Sequence, residues 1–170
     1  MKAKLMKKGA GLEDSMSERC VFCDVNSMNG RILDESKNTI TILSNPCLVK
    51  GHVLVMPKRH VEKLSEFNKE ERVELIEQVT KIQEKLLEKF KGCDVRQNYR
   101  PFQKEDGLKI DHLHIHLQPR ELFDELYEKC QVHEKKIFKK LNKEELDDLT
   151  KEVFQTNPMT DDSMKEIFEK

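Results

Sequence analysis

Asp111-His112-Leu113-His114-Ile115-His116-Leu117-Gln118-Pro119-Arg120 alternates three histidines with three aliphatic residues. A period of two is that of a β-strand with one apolar and one polar face. Leu113, Ile115 and Leu117 are therefore expected to enter the core, with the histidines on the other face. At a rise of about 3.3 Å per residue, His112, His114 and His116 stand roughly 6.6 Å apart. Ordinary polar strand faces use Thr, Lys and Glu. A face holding three of the chain's six histidines points instead to chemistry, because imidazole serves near neutral pH as metal ligand, general acid or base, or nucleophile.

The 170 residues around this segment predict one domain with tails. With 31 Lys and Arg against 32 Asp and Glu, the net charge of −1 announces neither a polyanionic partner nor a membrane surface, so nucleic acid is not the expected partner. Charged residues make up 37% and hydrophobic residues 36%, which suits a modest core carrying well-solvated helices. An odd count of five cysteines argues against a disulfide framework and fits a reducing compartment. The basic N-terminus has no apolar run behind it, so neither signal peptide nor membrane anchor is expected, and the reading is cytoplasmic.

Residues 1–17 lack periodicity and read as a flexible tail. Asn29-Gly30 is a hairpin-type turn with strands expected on both sides. Residues 38–43 and 52–56 are β-branched or aliphatic strand candidates, and Gly51 marks a point of backbone freedom or close approach. Over residues 68–90, Val73, Ile76, Val79, Ile82, Leu86 and Phe90 recur at helical spacing, which predicts one long helix against the sheet. Asn68 with Glu71 forms a capping box, and Gly92 sits where a left-handed C-terminal residue belongs. Residues 93–99 are a further strand candidate, followed by a polar loop. Residues 121–138 read as helical, and Asn142 with Glu145 repeats the capping box. These elements read as sheet strands with one long packing helix and a helical C-terminal extension over 121–170. Cys47 and Cys93 fall in strand candidates and read as buried thiols.

The His-x-His-x-His segment, together with Gly51-His52-Val53-Leu54-Val55-Met56-Pro57-Lys58-Arg59-His60 upstream, resembles the histidine triad (HIT) family of nucleotide hydrolases and transferases. The resemblance covers residues 18–120. It extends to Cys20-x-x-Cys23, similar to the knuckle of zinc-bearing bacterial and archaeal members. It implies an α+β fold, a small antiparallel sheet with a long packing helix, pairing into a homodimer, and a nucleotide phosphate lying against the histidines.

Residue by residue, the resemblance implies that His114 is the nucleophile and that His116 and His52 bind the substrate phosphate. It implies structural zinc on Cys20, Cys23, His60 and His112, a closed four-ligand set with no open position for water. A C-x-x-C alone also permits a redox pair or two packed thiols. Where many members carry Gly-Gln-Ser/Thr before the triad, this chain has Gly107-Leu108-Lys109. Asn98, Lys109 or Gln103 is then expected to supply the missing phosphate donor. Ser44 and Asn45 occupy the position of the ribose contact, and the triad closes on a polar Gln118 where two apolar residues are usual.

The leading expectation is a hydrolase acting at the α-phosphorus of dinucleoside polyphosphates or nucleoside phosphoramidates through a nucleotidyl-histidine, with adenine nucleotides favoured. The alternatives are a phosphorylase or nucleotidyltransferase, and a zinc-stabilised nucleotide-binding module without turnover.

Overall fold

The computed structural model describes residues 20–103, 109–134 and 136–154. The expected tail and Gly107-Leu108 lie outside them. Five strands form one antiparallel sheet: β1 Ile32–Glu35, β2 Thr39–Leu43, β3 Val53–Pro57, β4 Gly92–Gln97 and β5 Ile115–Arg120. Their order across the sheet is β1-β2-β3-β5-β4. An antiparallel sheet with a packing helix makes the fold class α+β, as the resemblance implied.

One face of the sheet carries Val53, Val55, Leu113, Ile115 and Leu117, packed against Leu75, Val79 and Ile82 of helix α1, Lys69–Leu87. The other face carries Ile40, Ile42, Leu54 and Met56, covered by Phe22 and Met28 of the N-terminal segment. That cover buries β3 on both sides, which explains its uninterrupted aliphatic sequence.

Helix α1 begins at the expected capping box: Asn68 Oδ1 accepts from the Glu71 amide at 2.9 Å, and Glu71 accepts from the Asn68 amide at 3.0 Å. Its buried stripe is Leu75, Gln78, Val79 and Ile82 rather than one starting at Val73 and Ile76, which are about half exposed. Leu75 sets the phase, because Ile76 lies about 100° around the helix from it. Gln78 belongs inside because its amide donates to Thr41 Oγ1 at 2.8 Å and to Asp34 at 3.0 Å.

Three other local expectations change. Asn29-Gly30 follows a 3-10 turn, Val25–Met28, so a strand stands only on its C-terminal side, although Gly30 has the positive φ expected of a turn. Gly92 opens β4 and pairs with Arg120 instead of capping α1, whose last turn ends at a right-handed Glu88. Residues 121–124 form a turn held by Asp124, whose carboxylate accepts the Glu121 and Tyr127 amides at 3.2 and 2.8 Å. The expected helix then runs unbroken over 125–134, with a wide stretch at Tyr127–Gln131 continuing into Val132–Glu134.

Gly51 has φ +80°, and a β-carbon there would lie 3.0 Å from the Phe90 ring and 3.3 Å from Pro119. Both expected reasons for glycine hold. The chain divides into two compact units, Met1–Glu128 and Lys129–Lys170. In the second, helix α2, Lys143–Phe154, opens on the expected Asn142–Glu145 capping box. No helix among the described residues is long and apolar enough to cross a membrane.

Candidate active site and metal centre

The triad histidines approach and enter β5, and backbone partners fix which nitrogen of each ring carries the proton. His114 Nδ1 lies 2.6 Å from the carbonyl of His112. A carbonyl only accepts, so Nδ1 is protonated and Nε2 keeps a bare lone pair. In His52 the order is reversed, because the Leu48 amide donates to Nδ1 at 3.2 Å. The His52 proton therefore sits on Nε2 and is donated to His116 Nδ1 at 3.0 Å. That leaves His116 with its own proton on Nε2, so two neighbouring imidazoles present opposite functions: His114 a lone pair, His116 a donor.

All three rings are held below the ordinary imidazole range. Burial, with lesser repulsion from His114, His52 and Arg96, pushes His116 down to about 3. Burial, then Arg96 and His114, pushes His52 down to about 4. His114 is lowered by burial, opposed by its bond to the His112 carbonyl. Phe22 meets the His114 ring edge-on, with centroids 5.3 Å apart.

His114 and His116 form a wall shared by two cavities. The larger, about 580 Å³, is lined by Phe22, Ser44, Asn45, Cys47, His52, Arg96 and Gln118 among others. The smaller, about 220 Å³, is lined by Asn98, Tyr99, Arg100, Gln103, Lys109 and Asp111. Ser44 and Asn45 thus lie in one chamber, Asn98 and Lys109 in the other. Lys109 is ion-paired with Asp111, and the Ser44 hydroxyl donates to the Pro46 carbonyl at 2.8 Å.

Cys47, expected as a buried strand thiol, is exposed in the loop before β3 and lines the larger cavity. Cys93 is in β4 and half-buried. Arg96 was not singled out by its sequence context, yet it pairs with His116 across the β4–β5 ladder. The signal was the strand candidate itself, but only the register says which of its residues faces the histidines.

Cys20, Cys23, His60 and His112 converge, each offering one ligand atom within 4.8 Å of the others. His112 Nε2 donates to the Pro57 carbonyl at 3.0 Å, so its bare Nδ1 faces the sulfurs. Sγ of Cys20 and of Cys23 lie 3.5 Å from that Nδ1, and Cys23 Sγ lies 3.4 Å from His60 Nδ1. A tetrahedron with metal–sulfur bonds of about 2.3 Å and metal–nitrogen bonds of about 2.0–2.1 Å has sulfur–nitrogen edges of about 3.5 Å. The donors fit zinc in type and spacing. Without a cation, burial and the neighbouring Cys20 push the Cys23 thiol up to about 11.

A HIT-domain family model matches residues 26–122. A bis(5′-adenosyl)-triphosphatase of Dictyostelium discoideum is 28% identical over 121 residues, 71% of this chain and 79% of that protein. A Bacillus subtilis HIT-family crystal structure superposes with a TM-score of 0.63 at 21% identity, covering 84% of this chain and 99% of that one. A zinc-bound histidine triad protein of Mycobacterium smegmatis superposes with a TM-score of 0.55 at 27% identity, covering 65% and 81%. With its triad, its sheet and a family model spanning more than half of its length, the chain belongs to the histidine triad (HIT) family.

Proposed function

We propose that the protein is a nucleotide hydrolase that cleaves at an α-phosphorus through a nucleotidyl-histidine. The observation that carries this reading is the His114 Nδ1–H donated to the His112 carbonyl, which leaves Nε2 unprotonated beside two cavities. Nε2 attacks the α-phosphorus; a nitrogen–phosphorus bond forms, and the bond to the leaving group breaks with its electron pair departing on that group. Water then attacks the same phosphorus, the nitrogen–phosphorus bond breaks, and a nucleoside monophosphate and a neutral imidazole result. His116 Nε2–H donates to a non-bridging oxygen as negative charge grows there, and the positive charge of Arg96 helps to stabilise it.

The larger cavity takes the nucleoside, an adenine nucleotide by likeness to the triphosphatase, with Asn45 at its sugar. The smaller takes the leaving group beside Asn98 and Lys109. Zinc on Cys20, Cys23, His60 and His112 is structural: with four protein donors it supplies no water or open position, and it ties the N-terminal segment to the start of the triad. A homodimer in a reducing cytoplasm, with residues 18–120 as the catalytic domain and 121–170 as a helical extension, completes the proposal.

The test is rapid quench of radiolabelled diadenosine tetraphosphate. An acid-labile, base-stable nucleotidyl label is expected on the parent protein and none on His114→Asn. Turnover with inverted phosphorus stereochemistry rules out the two displacements.

A further inference from the structure

Gln118 has no part in that scheme, and its setting is unusual for a carboxamide. It is 2% exposed in β5 and lines the larger cavity with His52 and His116. Its Nε2 has no hydrogen-bond partner among the described residues. A buried amide N–H without an acceptor is unfavourable, and native proteins seldom leave one so. Its neighbours are engaged elsewhere: His116 Nδ1 accepts from His52, and Asp94, opposite Gln118 on β4, is ion-paired with Arg120.

The sheet register locates what such a donor would meet. Val53 pairs with Leu117, and the Ser44 amide donates to the His52 carbonyl at 2.9 Å. Extending both ladders by one residue sets Ser44, His52 and Gln118 in a single row across β2, β3 and β5, on the histidine face. This row lies about 6.6 Å past His116, on the side away from His114. On that row the Ser44 hydroxyl hydrogen goes to Pro46, and the His52 proton goes to His116. Gln118 holds the uncommitted donor. The part of a nucleotide next to its α-phosphate is the sugar, whose hydroxyl oxygens are acceptors.

We propose that Gln118 Nε2 donates to a sugar hydroxyl of the bound nucleotide and so selects hydroxylated sugars over their deoxy forms. The proposal rests on the reading that the larger cavity holds the nucleoside. A leucine at this position fills similar volume and suits the strand, but leaves the row with no free donor.

Calorimetric titration of the full chain with adenosine 5′-monophosphate and its 2′-deoxy and 3′-deoxy analogues tests it. The parent is expected to bind at least one deoxy form about tenfold more weakly, the value of one hydrogen bond of about 1.4 kcal/mol. Gln118→Leu is expected to lose that tenfold preference, binding adenosine 5′-monophosphate at the parent's level for the disfavoured deoxy form. Gln118→Met, unbranched and of similar length, repeats the test should leucine disturb the fold. A parent that binds the monophosphate without discriminating, or a folded variant that keeps the parent's ratio, overturns the assignment of Gln118 alone. A parent that binds none of the three nucleotides overturns the nucleotide reading as well.

Discussion

His114 and His116 are two residues apart and differ in the position of one proton, so their removal should not look alike. A phosphate ligand contributes binding, and its loss costs about ten to a hundredfold, roughly 1.4 to 2.8 kcal/mol. Loss of a nucleophile leaves no comparable route. His114→Asn is expected to bind nucleoside monophosphate as the parent does while losing at least about 10³-fold in kcat, and His116→Asn to lose less; steady-state kinetics with diadenosine tetraphosphate decides it. The same rings set a pH dependence. The native values of His52 and His116, about 4 and about 3, lie below the ordinary 6.5, so the unfolded chain binds more protons as pH falls beneath 6.5. Their contribution to stability is whole above pH 6.5 and fades between there and about 3, which urea midpoints at pH 7, 5.5 and 4.5 will register. The alternation of imidazoles was legible from the chain because a period of two needs no partner strand. Arg96 and the exposed Cys47 were not, since one depends on pairing across the ladder and the other on a loop without periodicity.

At the scale of elements, the capping boxes were readable because both partners lie within four residues. Asn68→Ala should cost about 1 kcal/mol in a denaturant titration while leaving the slope unchanged. The face of α1 was misread because Val73 and Ile76 are apolar but exposed, while the polar Gln78 is buried through bonds to another element that no local pattern reveals. Gly51 was read correctly as a place of freedom or close approach, though Phe90, the neighbour that meets it, is distant in sequence. Gly51→Ala must adopt a strained positive φ and push on both the Phe90 ring and Pro119. A fall in thermal midpoint well beyond that of Asn68→Ala is expected.

For the whole molecule, the proposed metal centre would join three separate parts of the chain, the 20–23 knuckle, His60 after β3 and His112 before β5. Structural zinc contributes about 10 kcal/mol or more to small zinc modules at neutral pH. Cys20→Ser should therefore hold well under one equivalent by elemental analysis and unfold at lower temperature; folded, metal-free parent protein with both thiols reduced would contradict it. Light scattering at micromolar concentration is expected to give twice the chain mass. The order of strands was beyond a sequence reading, because β4 and β5 pair across the polar loop and β5 then inserts beside β3, a choice made by burial and not by neighbouring residues. The shared histidine wall between the two cavities has a kinetic consequence. A substrate straddling the wall would yield products on opposite sides of it, so the departing half can diffuse away while the nucleotidyl half stays bound to the ring. Release is then sequential, and the two products should inhibit in different patterns, the nucleoside monophosphate competing with substrate and the departing group acting on the nucleotidylated form of the enzyme.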